Sequence, residues 1–159
     1  MKPTGSSGLR ARANDEAIVV AFSPLEIQVV GQLSTSVDHN CVVCIPRVFP
    51  YVLMKLAVFR NRLSDGSKNE GRHHPLDLYR TIAMITEADE SIAKQLILTD
   101  SARVVLAEAT RIIDTYFAPR DGLGRIRFRE HPLAPANVDL DAFVSELRRV
   151  VGLGEKSTR

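Results

Sequence analysis

The chain has 159 residues, of which 45% are hydrophobic and 25% are charged, and its formal net charge is +2. This length allows one ordinary hydrophobic core and is short for two domains, and the composition is that of a globular protein. A net charge this close to zero excludes the broad positive field of a dedicated nucleic-acid-binding protein, so any basic site has to be local.

Both ends of the sequence are polar and lack a hydrophobic period. We expect a flexible leader at residues 1–16 and a flexible tail at residues 153–159. No apolar run approaches the roughly 20 residues of a membrane helix, and the leader has no apolar segment of the kind that secretory signals contain. The sequence therefore predicts a cytoplasmic protein without membrane contact, folded as one domain over residues 17–152.

Three short runs rich in β-branched residues come first in the predicted domain. They are AIVVAF at 17–22, LEIQVV at 25–30 and CVVCI at 41–45. Runs of this length and composition, separated by polar or proline-containing segments, are typical of strands. The sequence predicts a small sheet over residues 17–45.

The third run contains both cysteines of the chain, Cys41 and Cys44. Residues three apart on a strand point to opposite faces of the sheet. This spacing argues against a disulfide and against a shared metal ion, and no second cysteine pair completes a zinc site. We expect both thiols to lie in the core.

From Phe49 onward the apolar residues follow a helical period. One helix is predicted to end near Arg62, and its apolar side is formed by four residues: Val52, Leu53, Leu56 and Ala57. Sheet first and helices afterwards indicate an α+β protein, with a small N-terminal sheet packed on a helical part that spans residues 48–152.

Helix ends are marked by residues with known terminal preferences. Pro75 suits the first position of a helix, which would place Asp77 in its first turn, where the helix dipole favours an acid. Ser101 is predicted to cap the helix that follows Thr99 and Asp100. Gly152 is the predicted stop of an amphipathic last helix.

Basic residues gather around the loop between the first two predicted helices. Lys55 and Arg62 share one helical face, Arg72 lies in the loop, and the helix beginning at Pro75 adds free backbone N–H groups. Such a set can bind a polyphosphate. The alternative is a solvated cationic face on which Asp77 is only a helix-end charge, and residue types alone favour that alternative.

Two further groups of side chains have competing interpretations. His73 and His74 are adjacent and cannot easily bind one metal ion together. The run RIRFR alternates charged and apolar residues, as a short edge strand does, and could contact RNA through Arg125, Arg127 and Arg129. Charges on an edge strand more often prevent edge-to-edge pairing.

The segment IPRVFPYVLMKLAVFRNRL at 45–63, a polar loop, and RHHPLDLYRTIAMITE at 72–87 together resemble the second half of bacterial nucleotidyltransferase-fold proteins related to abortive-infection (type E) toxins. That family has a K-L-x-A-x-x-x-R helix followed by a D-L-rich helix. The resemblance covers about residues 17–90 and rests on short motifs. Lys55, Arg62 and Asp77 fit this layout, whereas Ala57 comes two places after the lysine instead of three.

The resemblance implies Mg²⁺-dependent transfer of a nucleoside monophosphate from a nucleoside triphosphate to a hydroxyl. It assigns Lys55 to the triphosphate, and Arg62 to phosphate or to orienting Asp77. The family holds its metal with a G-S motif, a D-x-D motif and a third acid.

This chain departs from that metal-binding pattern. It offers Gly5-Ser6 and Asp15-Glu16 without a second aspartate, and Glu26 or the neutral Gln28 in place of the third acid. We therefore expect a nucleotidyltransferase-like protein that faces phosphate but is catalytically impaired or truncated. Glu26 and Asp77 are the remaining catalytic candidates, and Mg²⁺ is the cofactor if the protein is active.

The missing D-x-D favours a second interpretation, a non-catalytic protein-interaction module. Such a module would be antitoxin-like or a regulatory partner of an active enzyme, and would bind protein through its sheet edge and its helical tail. A sheet edge and an apolar sheet face left uncovered would also favour self-association.

Overall fold

The structure, a computed structural model, describes residues 22–32, 38–63 and 73–152. The expected leader and tail, the part of the first predicted strand at 17–21, and Arg72 lie outside the described residues. In chain order the elements are β1 (Leu25–Gln32), β2 (Asp38–Ile45), α1 (Val48–Asn61), α2 (His73–Ile82), α3 (Glu87–Ile97), α4 (Asp100–Tyr116), α5 (Leu123–Arg129) and α6 (Leu140–Val151). This layout confirms the α+β class.

Helix α1 is the centre of the helical body. Its predicted apolar side is buried, and it contacts α2, α3 and α4. Helix α6 packs on α4 and α2, and the apolar side predicted for this helix, formed by Phe143, Leu147, Val150 and Val151, is buried. The side chain of Asp139 accepts hydrogen bonds from the backbone N–H groups of Asp141 and Ala142, which begins α6, and Gly152 ends it as predicted.

Aromatic rings join the helices in the core. Phe59 of α1 lies 5.0 Å from Phe117 between ring centroids, and Phe143 of α6 lies 5.6 Å from Tyr79 and 6.2 Å from Phe128. Burying a large apolar side chain of this kind stabilises a fold by about 1.5–3 kcal/mol. The helical body is therefore held by contacts between residues far apart in sequence.

Strands β1 and β2 form one antiparallel sheet, with Leu25 opposite Ile45 and Gln32 opposite Asp38. Every residue of both strands is exposed. The contact with the helical part lies at the base of the hairpin, where Phe22 packs against the core and Arg47 donates to the carbonyl of Ser23 at 2.9 Å. The expected packing of the sheet thus involves its base and leaves its faces in solvent.

The prediction of an edge strand at RIRFR is wrong, because these residues form α5. The backbone N–H groups of Arg125 and Ile126 both donate to the carbonyl of Gly122, which starts a helix at this point. In a helix Arg125 and Phe128 share the buried side, since they are three residues apart. An alternation over only five residues is too short to distinguish the two-residue period of a strand from the 3.6-residue period of a helix.

Two predicted helix starts also lie too late in the sequence. The N-cap of α4 is Thr99, not Ser101. The backbone of Thr99 is extended, and the helix begins at the next residue, Asp100. The described part of α2 begins at His73, so Pro75 is its third residue and Asp77 lies beyond the first turn. Proline is tolerated there because N–H groups of the first turn have no acceptor within the helix.

We expect Gly124→Ala to destabilise the protein by about 1–3 kcal/mol, although alanine favours helices. A β-carbon at Gly124 would lie 2.6 Å from the Phe117 ring, which is fully buried against Phe59 and cannot move aside. Urea unfolding measures the loss. The control is Gly152→Ala, which meets no atom within 4 Å and should change stability by less than about 0.5 kcal/mol. Equal stabilities of the two variants would contradict this packing.

Candidate functional site

The hairpin presents one face made of apolar side chains. Residues directly opposite each other across β1 and β2 point to the same face. The pairs Leu25 with Ile45, Ile27 with Val43, and Val29 with Cys41 therefore form a continuous surface, which we term the apolar face. Its five aliphatic members are 40–47% exposed.

The opposite face of the hairpin, which we term the polar face, carries most of the polar side chains of the two strands, together with the exposed valines Val30 and Val42. Gln28 donates to the side chain of Asn40 at 3.2 Å, and Gln32 donates to the side chain of Asp38 at 2.7 Å. Glu26 lies on this polar face, opposite Cys44. The two faces therefore differ in that this one combines hydrogen-bonded polar pairs with exposed valines, whereas the three pairs of the apolar face carry no such polar groups.

The two cysteines lie on opposite faces, as their spacing predicted, with Cys41 on the apolar face and Cys44 on the polar one. Both are free and exposed. The expectation that they lie in the core is wrong, because no other layer of the described structure covers either face of the hairpin. The residue pattern of a strand predicts which side chains share a face, but it does not predict whether another layer of the protein covers that face.

A cavity of about 360 Å³ opens at the base of the hairpin. Ile45 of the apolar face lines it together with Val48 and Tyr51 of α1 and Asp77 and Met84 from α2 and the turn after it. The apolar face therefore continues into a recess between the hairpin and the helical body.

Beside this cavity, Lys55 and Asp77 form an ion pair between α1 and α2. The Lys55 ammonium donates to the Asp77 carboxylate at 2.7 Å, and it lies 5.1 Å from the centroid of the Tyr51 ring. Burial lowers the pKa of Lys55, but hydrogen bonds with Asp77 and Tyr51 outweigh burial and leave that pKa raised. The charge of Lys55 is thus already balanced within the protein.

The sequence predicted that Asp77 pairs with Arg62, whereas its described ion pair is with Lys55. Arg62 follows the end of α1 and is exposed. Burial, with the charges of Lys55 and Arg62, lowers the pKa of His74 to about 4, so this imidazole is neutral at neutral pH. The structure thus brings Lys55, Asp77, His74 and Arg62 into electrostatic range of one another.

The sequence indicated that the adjacent residues His73 and His74 cannot easily bind one metal ion together. His73 turns instead to His131, with 2.9 Å between His73 Nδ1 and His131 Nε2. The backbone N–H of Leu133 donates to His131 Nδ1, so neutral His131 carries its proton on Nε2 and donates it to His73. Sequence spacing gave no signal of this contact, which joins residues 58 positions apart.

The two catalytic candidates, Glu26 and Asp77, do not form a Mg²⁺ site together. Glu26 lies on the hairpin, Asp77 is bound by Lys55, and in the described ranges no three His, Cys, Asp or Glu side chains are close enough to share a metal. Two-metal chemistry needs several carboxylates around each pair of ions. The described carboxylates are therefore too few and too dispersed for two-metal chemistry.

The arginines proposed for RNA contact lie on α5 with different environments. Arg125 is only 5% exposed, and its guanidinium donates to the carbonyl of Phe117 and to Asp141. Arg127 lies over the Phe59 ring, 5.7 Å from its centroid, whereas Arg129 is exposed. Two of the three cations thus serve the helical body.

A second cavity, of about 640 Å³, lies between α2, α3 and α6 and was not predicted. Tyr79 and Phe143 line it, and Arg149 at its rim pairs with Glu90 at 2.8 Å and with Glu146 at 2.7 Å. The Arg149 hydrogen bond lowers the pKa of Glu146. One guanidinium thus bridges two carboxylates at the rim of the cavity.

No protein-family model matches this chain, and no curated protein or solved structure matches it either. The resemblance to nucleotidyltransferase-fold proteins therefore stays a prediction. Among the described helices none is both long and apolar enough to cross a membrane.

We expect Lys55→Ala and Asp77→Ala to be non-additive in free energy of unfolding by more than about 0.5 kcal/mol, because each single change leaves a half-buried charge without its partner. The side chains are 15% and 33% exposed. Urea unfolding of the two single variants and the double variant gives the coupling. The control is the pair Asp100 and Arg103, 84–97% exposed and 3.6 Å apart, whose coupling should be near zero. Additive losses at Lys55 and Asp77 would show that the pair does not stabilise the protein.

Proposed function

We propose that this chain is a non-catalytic protein-interaction module whose binding surface is the apolar face of the hairpin. The observation that carries the proposal is an unbroken set of six apolar side chains, paired across two strands and open to solvent. Contiguous apolar patches on a protein surface mark sites of interaction with other molecules. Either an antitoxin-like protein or a regulatory partner of an active enzyme would use such a surface.

The energetics of a hairpin support this function. A two-stranded sheet is marginally stable in water by itself, because neither of its faces is covered. Covering the apolar face removes five aliphatic side chains from water and also fixes the backbone of both strands. Partner binding and ordering of the hairpin would therefore stabilise each other.

The cavity at the base of the hairpin supports the same function. Ile45 belongs both to the apolar face and to the cavity wall, so a partner that lies along the face can place an apolar side chain in the recess beside Tyr51 and Met84. A buried anchor of this kind contributes most of the energy in many interfaces. The recess also fixes the direction in which the partner lies.

We expect a photo-crosslinking amino acid at position 27 or 43, on the apolar face, to give a discrete crosslinked product in the living cell. The same amino acid at position 28, one residue along β1 but on the polar face, is the matched control and should give none. Gel mobility measures the product, and mass spectrometry of the crosslinked peptides identifies both partners. Equal products from both faces, or none from either, would refute an interaction through the apolar face.

Nucleotide binding is a second candidate function, favoured by the proximity of two cations to His74. Lys55 and Arg62 both lower the pKa of that histidine, so their charges act on one locus between α1 and α2. The weakness of this candidate is that Asp77 already holds Lys55. A nucleoside triphosphate would have to displace that carboxylate, so we propose weak binding with negligible turnover.

If Lys55 binds phosphate, Asp77→Asn should tighten the binding of ATP with Mg²⁺, because it removes the charge that competes for Lys55. Lys55→Ala should weaken the binding by about 1.5–3 kcal/mol, the contribution of one charged hydrogen bond. Isothermal titration calorimetry measures both, with Lys94→Ala, an exposed lysine of α3, as control. Identical affinities of the Lys55 and Lys94 variants would exclude Lys55 from any phosphate site.

A further inference from the structure

We infer that the cavity between α2, α3 and α6 binds a linear polyamine, a flexible chain of methylene groups with an ammonium at each end. This inference goes beyond the proposed interaction function, because the residues that line the cavity lie between Tyr79 and Arg149 and none of them belongs to the hairpin. It depends on the walls of the cavity, on the charge of its rim and on the order of residues along α6.

The walls of the cavity are apolar, and its volume is that of a ligand site. Ile82, Val138 and Phe143 contribute apolar side chains to the lining. The volume of about 640 Å³ lies within the range of about 300–1,000 Å³ that small-molecule sites occupy. Methylene groups that contact these walls are removed from water, which favours binding. The cavity is therefore suited to a ligand with an apolar part.

The rim of the cavity carries an excess of negative charge. Its charged residues are four acids and one arginine: Glu87, Glu90, Asp139, Glu146 and Arg149. Arg149 bridges Glu90 of α3 at 2.8 Å and Glu146 of α6 at 2.7 Å, so carboxylates from two helices converge on one cation. That guanidinium offsets one of the four negative charges. The remaining excess attracts cations and repels anions.

Two of the four carboxylates have oxygens available to a ligand. Asp139 Oδ1 accepts hydrogen bonds from the backbone N–H groups of Asp141 and Ala142, both at 2.9 Å. Within the described ranges, neither Asp139 Oδ2 nor the Glu87 carboxylate takes part in a hydrogen bond or an ion pair. Glu87 lies one turn before Glu90 on α3, so it adds an unpaired carboxylate near the Arg149 bridge.

The order of residues along α6 favours a linear ligand with separated charges. Asp139, Ala142, Phe143 and Glu146 all line the cavity, because their spacing places them on one side of the helix. The two acids are seven residues apart, about 10.5 Å along the helix axis, with two apolar residues between them. A compact cation can contact only one end of this row. An extended triamine such as spermidine spans about the same length, with methylene groups in the middle.

The experiment is isothermal titration calorimetry of the full chain with spermidine, for which we expect one bound molecule per chain. Putrescine, a diamine too short to reach both ends, should bind at least about fivefold more weakly, because it loses one exposed ion pair. Hexaamminecobalt(III) has the charge of spermidine but no methylene chain. It should also bind at least about fivefold more weakly, because it has no apolar part to bury against the walls.

Two variants locate the bound polyamine. Asp139→Asn removes a charge and keeps the cap of α6, because asparagine and aspartate are equally good N-caps. Glu87→Gln removes the other unpaired carboxylate. Each change should weaken spermidine binding by about fivefold, the effect of one exposed ion pair. The matched control is Asp121→Asn, an exposed aspartate outside the cavity lining, which should leave the affinity unchanged. Helical circular dichroism verifies that all three variants are folded.

Four results would overturn the polyamine as the ligand of this cavity. One is the absence of detectable spermidine binding. Another is equal affinity for hexaamminecobalt(III), since the carboxylates would then attract any trivalent cation. A third is equal affinity of the Asp139, Glu87 and Asp121 variants, which would place spermidine elsewhere on the protein. The fourth is tighter binding of a lysine tripeptide, which would make a basic protein segment the occupant. None of these results concerns the apolar face, so the proposed interaction function is tested separately.

Discussion

The enclosure of α1 is the constraint on which the rest of the structure depends. Every residue of this helix is buried or half-buried, and the fully buried ones include Phe49, Val52, Leu56 and Phe59. Such a helix is stable in water only when other helices cover its sides, which α2, α3 and α4 do. Because a half-buried ammonium without a partner is costly, the enclosure also requires an anionic partner for Lys55, the cation in the middle of α1. Asp77 on α2 supplies that partner, so the ion pair follows from the packing of the two helices.

The same enclosure leaves the hairpin without a layer to pack on. Only Pro46 and Arg47 separate the end of β2 from the start of α1, so the hairpin stays next to the helical body. The sides of α1 are already occupied by helices, however, and the hairpin meets the body through its base alone. Its apolar face is therefore available to another molecule, which is the physical basis of the interaction function that we propose.

The sequence was sufficient to predict helices whose apolar period continues over several turns, and strands that are rich in β-branched residues. Helices α1, α4 and α6 and both described strands were found in this way, as were the buried sides of α1 and α6. It was insufficient at Arg125, because five alternating residues fit a strand and a helix equally well and the contact that decides, with Asp141, lies 16 residues away.

The candidate site was predictable only in its local parts. The alternation in LEIQV indicates one apolar face, and the cysteine spacing correctly placed Cys41 and Cys44 on opposite sides. The exposure of this face depends on which helices enclose α1. The pairing of Asp77 with Lys55 instead of Arg62 depends on how α1 crosses α2. Neither the layer above a strand nor the angle between two helices is encoded in a local pattern of residues.

The cavity at the base of the hairpin connects these two parts of the molecule, because its wall includes Ile45 of the apolar face and Asp77 of the ion pair. An apolar side chain that enters the cavity displaces water from one side of the Asp77 carboxylate, and an unpaired carboxylate would resist this strongly. Lys55 prevents that resistance, since it holds the carboxylate at 2.7 Å and their attraction increases as water leaves. On this argument Lys55 balances a charge in the wall of a recess and so lets the recess accept an apolar group.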